Sequence, residues 1–123
     1  MKLKDAKVAA GLLAEAWQMG ITLPALPAYC RPKTAAEGYR VQGLLGKELD
    51  FGIGGWKIGC TSAAARRILK SRGPIAGPIF APRIFASGVS LSSQTYHLRG
   101  IEGEFAFRLK AALAPRRRPY TPA

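Results

Sequence analysis

Glu102 and Glu104, one residue apart, and Lys57, set among glycines, are the residues whose types and spacing could do chemistry in this chain. On an extended strand, side chains two positions apart share a face and stand about 7 Å from one another. Two carboxylates so placed repel unless water or a cation lies between them. Their oxygens suit a hard dication, magnesium or manganese, rather than zinc or copper. Such an ion could hold a 2-oxo acid through its carboxylate and keto oxygens and stabilise an enolate. The plainer alternative is a solvated strand face, since Arg108 would share it.

Lys57 lies in the run Gly54-Gly55-Trp56-Lys57-Ile58-Gly59, which has neither the P-loop spacing nor that of a dinucleotide fingerprint. A lysine inside an apolar strand is expensive to bury without a partner. It could meet an anionic substrate or, with a lowered pKa, carry a proton. Its stem could equally pack while its head reaches water. Cys60-Thr61-Ser62 follows. A nucleophile there would need a base, and the single histidine, His97, falls in a turn-like segment with no carboxylate evidently placed to orient it. Capping of a helix by Thr61 or Ser62 is the better account, and the amides at that helix start could receive an anion. His97 reads as a surface or packing residue. Cys30 and Cys60 form no Cys-x-x-Cys and have no neighbouring histidine, so zinc is not signalled.

The elements that must position these residues follow from periodicity and punctuation. Residues 4–19 read as an amphipathic helix, with Val8, Leu12, Leu13, Ala16 and Trp17 on one stripe and Gly20 as the stop. Three prolines make 21–33 a connector. Thr34-Ala-Ala-Glu37 has the form of a capping box and opens a second helix to about residue 49. Phe51 to Gly59 reads as a strand, and a third helix starts at Thr61 or Ser62 and ends at Gly73. From Pro74 to Gly100 turns alternate with short apolar pieces, including a strand near Gly77–Phe85. Residues 101–109 alternate with period two and read as an amphipathic strand. This divides the chain into a helical region (1–50), a strand-bearing region (51–110) and a basic, proline-rich tail (111–123), an α+β organisation.

The chain has 123 residues, 48% of them hydrophobic and 21% charged, a globular composition. Nineteen basic residues against seven acidic ones leave a net charge of +12. The basic residues are scattered, and Arg116-Arg117-Arg118 is their one dense run, without the interleaved aromatics usual in nucleic-acid modules. Nucleic acid is therefore not the expected partner. The N-terminus lacks the pattern of a secretory signal, and no apolar run approaches a membrane span, so a cytoplasmic protein without a membrane partner is expected.

Taken in order, Tyr39-x-Val41-Gln42, Gly55-Trp56-Lys57-Ile58-Gly59-x-Thr61-Ser62, Gly77-Pro78-Ile79-Phe80 and Ile101-Glu102-x-Glu104-Phe105-Ala106-Phe107 resemble the 2-keto-4-pentenoate hydratase / 4-oxalocrotonate decarboxylase group of the fumarylacetoacetate hydrolase superfamily. The resemblance covers nearly the whole chain, including Pro119-Tyr120-Thr121, which in relatives leads into a further helix. It implies N-terminal helices followed by the start of a mixed β-roll, here incomplete, and a homo-oligomer when full length. It implies that Glu102 and Glu104 are two of three carboxylate ligands to Mg2+ or Mn2+, that Lys57 is the active-site lysine, and that Thr61 and Ser62 lie near the substrate carboxylate. The activity implied is a lyase of aromatic-compound catabolism that adds water to 2-hydroxypenta-2,4-dienoate, or, in the decarboxylase branch, expels carbon dioxide from a 2-oxo acid.

Two departures from the family pattern stand out. Relatives continue past residue 123, and their third metal carboxylate lies in that continuation, so a truncated chain with little activity of its own is expected. Pro74-Ile75-Ala76-Gly77 replaces an Asp-Phe-Gly found in some hydratases, which removes a possible second acid/base. Two other readings stay open: a non-catalytic basic module binding nucleic acid or an acidic partner through Arg116–Arg118, and a degenerate copy with open sheet edges that folds poorly.

Overall fold

The computed structural model describes residues 1–121. Two helices, α1 (Leu3–Met19) and α2 (Ala35–Glu48), pack against each other and are followed by strand β1 (Ile53–Gly59), a short helix α3 (Ala63–Ile68) and strand β2 (Ile75–Phe80). The chain is thus α+β. Its sheet is a two-stranded antiparallel pair, with Ile53 opposite Phe80 and Gly59 opposite Ile75. No helix of the described residues is long and apolar enough to cross a membrane.

Helix α1 is fully buried only at alanines, Ala16 of its sequence stripe among them, while Leu12 and Leu13 of the stripe are partly buried against the core. Ala6, Ala9, Ala10, Ala14 and Ala16 are buried, whereas Val8 and Trp17 are 41% and 37% exposed. Small side chains let α2 approach closely, so Val41 meets Ala6, Ala9, Ala10 and Cys30, flanked by Leu12, Leu13, Leu44 and Leu45. Gly20 closes α1 in the left-handed conformation (φ 64°), and the Ile21 N–H returns to the Ala16 carbonyl at 3.0 Å.

The capping box at α2 forms with one change. The Thr34 hydroxyl accepts from the Glu37 N–H at 3.3 Å, but Glu37 accepts from the Lys33 N–H at 2.7 Å, one residue earlier than the standard pattern. The Met1 ammonium meets the other Glu37 oxygen, and together these contacts hold the Glu37 carboxyl below its usual range.

Phe80 joins the sheet to the helices. It is buried with Ala14 and Leu49, and it meets Trp17 and Phe51 edge-on at ring separations of 5.5 and 6.0 Å. A second tie lies further along β2, where the Ala76 N–H donates to the Tyr39 hydroxyl at 3.1 Å and its carbonyl accepts from Gln42 Nε2 at 3.3 Å. Both polar groups of an edge-strand residue are thereby satisfied by α2 side chains.

Several sequence expectations need correction. The third helix stops at Ile68 instead of reaching Gly73, with Leu69 as its cap. The strand expected near Gly77–Phe85 spans Ile75–Phe80 and gives way to a 3-10 turn, Ala81–Arg83. Residues 101–109 form no strand; they are exposed, with Ile101, Phe105 and Phe107 at 101%, 97% and 88%. A period of two says how side chains alternate in an extended chain. It does not supply the partner strand whose hydrogen bonds would make that chain a sheet. The tail has no regular element through residue 121, and its last two residues lie outside the described residues.

Candidate functional site

Lys57 sits mid-strand in β1, opposite Gly77 of β2. Strand alternation sends it to the more sheltered side of β1, with Gly55 and Gly59, and sends Trp56 and Ile58 to the open side. Glycine at 54 has a steric cause. A Cβ there would stand 2.6 Å from Ile84 Cδ1 and 3.1 Å from the Ala81 Cα, and the residue falls where the strand register shifts between Ile53 and Gly55.

The Lys57 ammonium is the meeting point of the site. Its Nζ donates to Glu102 Oε2 at 2.9 Å and also to Glu104 Oε1. The two glutamates are therefore brought to the glycine-flanked lysine, although no strand carries them there. The cluster is open: the side chains of Lys57, Glu102 and Glu104 are 42%, 75% and 50% exposed. The hydrogen bonds to Glu104, and secondarily to Glu102, hold the lysine above its usual pKa. That direction suits a persistent ammonium and is opposite to the lowered pKa a proton carrier needs at neutral pH.

Thr61 and Ser62 follow β1 through Cys60, which turns the chain at φ 56°. The Ser62 hydroxyl caps α3, accepting from the Ala65 N–H at 3.1 Å. The Thr61 carbonyl accepts from Arg66 at 2.9 Å, and the Cys60 carbonyl from the same guanidinium at 3.3 Å. Among the described residues neither hydroxyl shares a hydrogen bond with Lys57, Glu102 or Glu104. Cys30 and Cys60 are buried free thiols. The paired role of Tyr39 and Gln42 on Ala76 was not legible beforehand. Their spacing places them on one helix face, but nothing in it names the strand they clamp.

Among the described residues no group of three or more histidine, cysteine or acidic side chains is placed around a metal position. The two carboxylates instead converge on the Lys57 ammonium, which balances their charge. Magnesium commonly keeps several waters and uses only one or two protein carboxylates. Glu102 and Glu104 are the two carboxylates that could enter such a donor set, and in this structure both are engaged by Lys57. No family model matches the chain, and no match is found among curated proteins or solved structures.

Proposed function

We propose that this chain carries the lysine–dicarboxylate part of a divalent-metal-dependent lyase acting on a 2-oxo acid, with hydration of 2-hydroxypenta-2,4-dienoate as its reaction. The observation that supports this reading is the convergence of Glu102 and Glu104, one residue apart in sequence, on Lys57 of β1. The finer fold proposed is a mixed β-roll to which β1 and β2 belong, in a cytoplasmic, homo-oligomeric protein.

Glu102 and Glu104 would hold Mg2+ or Mn2+, whose bound form polarises the keto oxygen and stabilises the enolate. Lys57 acts as a fixed positive charge. Once its carboxylate partners are engaged elsewhere, the ammonium is free to pair with the substrate carboxylate and orient it. Thr61 and Ser62, just past the end of β1, would lie on the carboxylate side of that substrate. The proton on the dienol oxygen is lost and one is gained at the terminal carbon. Water then adds across the conjugated alkene, hydroxyl to one carbon and hydrogen to its neighbour, giving 4-hydroxy-2-oxopentanoate. Decarboxylation of a 2-oxo acid is the related alternative. Two carboxylates hold magnesium weakly, so turnover by this chain alone should be low.

The test pairs Mn2+ binding, read by paramagnetic resonance, with product formation read by NMR at high protein concentration. Both should fall together in Glu102→Gln and in Glu104→Gln. Mn2+ binding and turnover unchanged in both variants would refute the assignment.

A second reading rests on a different observation. Of the nineteen lysine and arginine side chains, Lys57 alone is in an ion pair among the described residues. So much unpaired positive charge favours an anionic partner, nucleic acid or an acidic protein, with Arg116–Arg118 as the contact. Retention on nucleic acid should then fall steeply with salt and disappear when the three arginines are neutralised. The lyase reading predicts indifference to that change.

A further inference from the structure

A groove of about 650 Å³ opens between the C-terminal half of α1 and the segment after β2, and it shares no residue with the Lys57 cluster. Leu13, Trp17 and Phe85 line its walls, and Arg83, Tyr96 and His97 supply polar groups. Its size and its mostly apolar lining with a few polar groups are those of a small-molecule site.

The charge of the groove decides the kind of occupant. No aspartate or glutamate lines it. The Arg83 guanidinium lies over the Trp17 ring, 5.5 Å from its centroid, and has no ion-pair partner among the described residues. An arginine stacked on an aromatic face keeps its N–H edges free, and those edges match a carboxylate in a two-point hydrogen bond. The exposed Trp17 and Phe85 rings offer flat surfaces on which a planar apolar body can lie.

We infer that this groove is a binding site for a planar aromatic carboxylate, with Arg83 holding the carboxylate and Trp17 and Phe85 flanking the ring. The site combines one fixed cation with apolar walls, so it discriminates by charge at one end and by shape at the other. A neutral amide of the same shape keeps the ring contacts and loses the charge-assisted hydrogen bonds. A small aliphatic carboxylate keeps the charge contact and loses the burial.

The test uses the full chain and cinnamate as probe, with cinnamamide and acetate as controls, followed by NMR of the two tryptophan indole N–H groups. Cinnamate should shift the Trp17 signal saturably and leave Trp56 unmoved, and cinnamamide should bind at least about tenfold more weakly. Arg83→Gln should bring cinnamate down to the level of cinnamamide, and Arg83→Lys, which keeps charge without the fork, should fall between the two. Circular dichroism checks that each variant is folded, and the Lys variant carries the test if the Gln variant is not. Equal affinity for cinnamate and cinnamamide, unchanged cinnamate binding in both Arg83 variants, or no saturation of the Trp17 shift in the wild type would each overturn the assignment. A dependence on Glu102 or Glu104 would overturn its independence from the lysine cluster.

Discussion

Lys57 donates to Glu102 at 2.9 Å across forty-five residues of chain. With Glu104 on the same ammonium, this contact ties an otherwise irregular segment to β1. The tie is largely exposed, and ion pairs between exposed side chains add little to global stability and are screened by salt. Replacing both glutamates by glutamine should therefore leave the melting temperature almost unchanged while it frees residues 101–109. Limited trypsin digestion should cut after Arg108 several-fold faster in the double variant, and high salt should speed the wild type in the same direction. Equal cleavage rates for wild type and double variant at low salt would show that the pair does not hold the segment.

The start of α2 offers a local test of stability. Thr34→Ala removes the acceptor for the Glu37 N–H and should cost about 1 kcal/mol, measured by urea unfolding, whereas Thr34→Ser should retain most of it.

Glu37 sets an acid limit on stability. Its carboxyl is held low by the Met1 ammonium and then by the Lys33 N–H. A carboxyl whose folded pKa lies below its unfolded value of about 4.3 contributes stability that is present above that value. The contribution is lost as pH falls through the depressed folded value. Melting temperature should drop over that interval in the wild type, and the drop should be shallower in Glu37→Gln.

Two glycines should respond in opposite directions to alanine. At Gly54 the new methyl meets Ile84 and the Ala81 backbone, so Gly54→Ala should destabilise by about 1–3 kcal/mol. At Gly43, inside α2, nothing lies within 4 Å of the added Cβ, and Gly43→Ala should stabilise by about 0.5–1 kcal/mol. Urea midpoints measured side by side would decide both.

Phe80 is buried at the join between sheet and helices, against Ala14, Leu49, Trp17 and Phe51. Phe80→Ala should cost about 3–5 kcal/mol, a large share of the stability of a chain this small, and Phe80→Leu should cost less. Loss of near-ultraviolet dichroism from Trp17, which meets Phe80 edge-on, should accompany the alanine variant.

The local elements were legible from residue order because their causes are local. Gly20 can take the left-handed turn that ends α1, Thr34 and Glu37 sit at the spacing of a cap, and Ser62 stands before α3 with a hydroxyl in reach of its third amide. The α+β composition followed from those elements. Lys57, Glu102 and Glu104 stood out by type and spacing, but residue order pointed the carboxylates at a dication and the lysine at an anionic substrate; their direct pairing is a fact of the fold.

Packing partners are long-range facts, and only the folded chain decided them. Along α1 the alanines are fully buried and Leu12 and Leu13 partly, whereas Val8 stays exposed and Trp17 meets Phe80 of β2, a division that periodicity alone did not give. That Tyr39 and Gln42 clamp Ala76 depends on where β2 lies, and neither residue encodes it. The alternation at 101–109 specified two faces but no neighbour, and without a strand to bond it the segment stays irregular and exposed. The groove beneath Arg83 is assembled from residues sixty or more positions apart, so its cation and its walls meet only when Phe80 docks the sheet against α1.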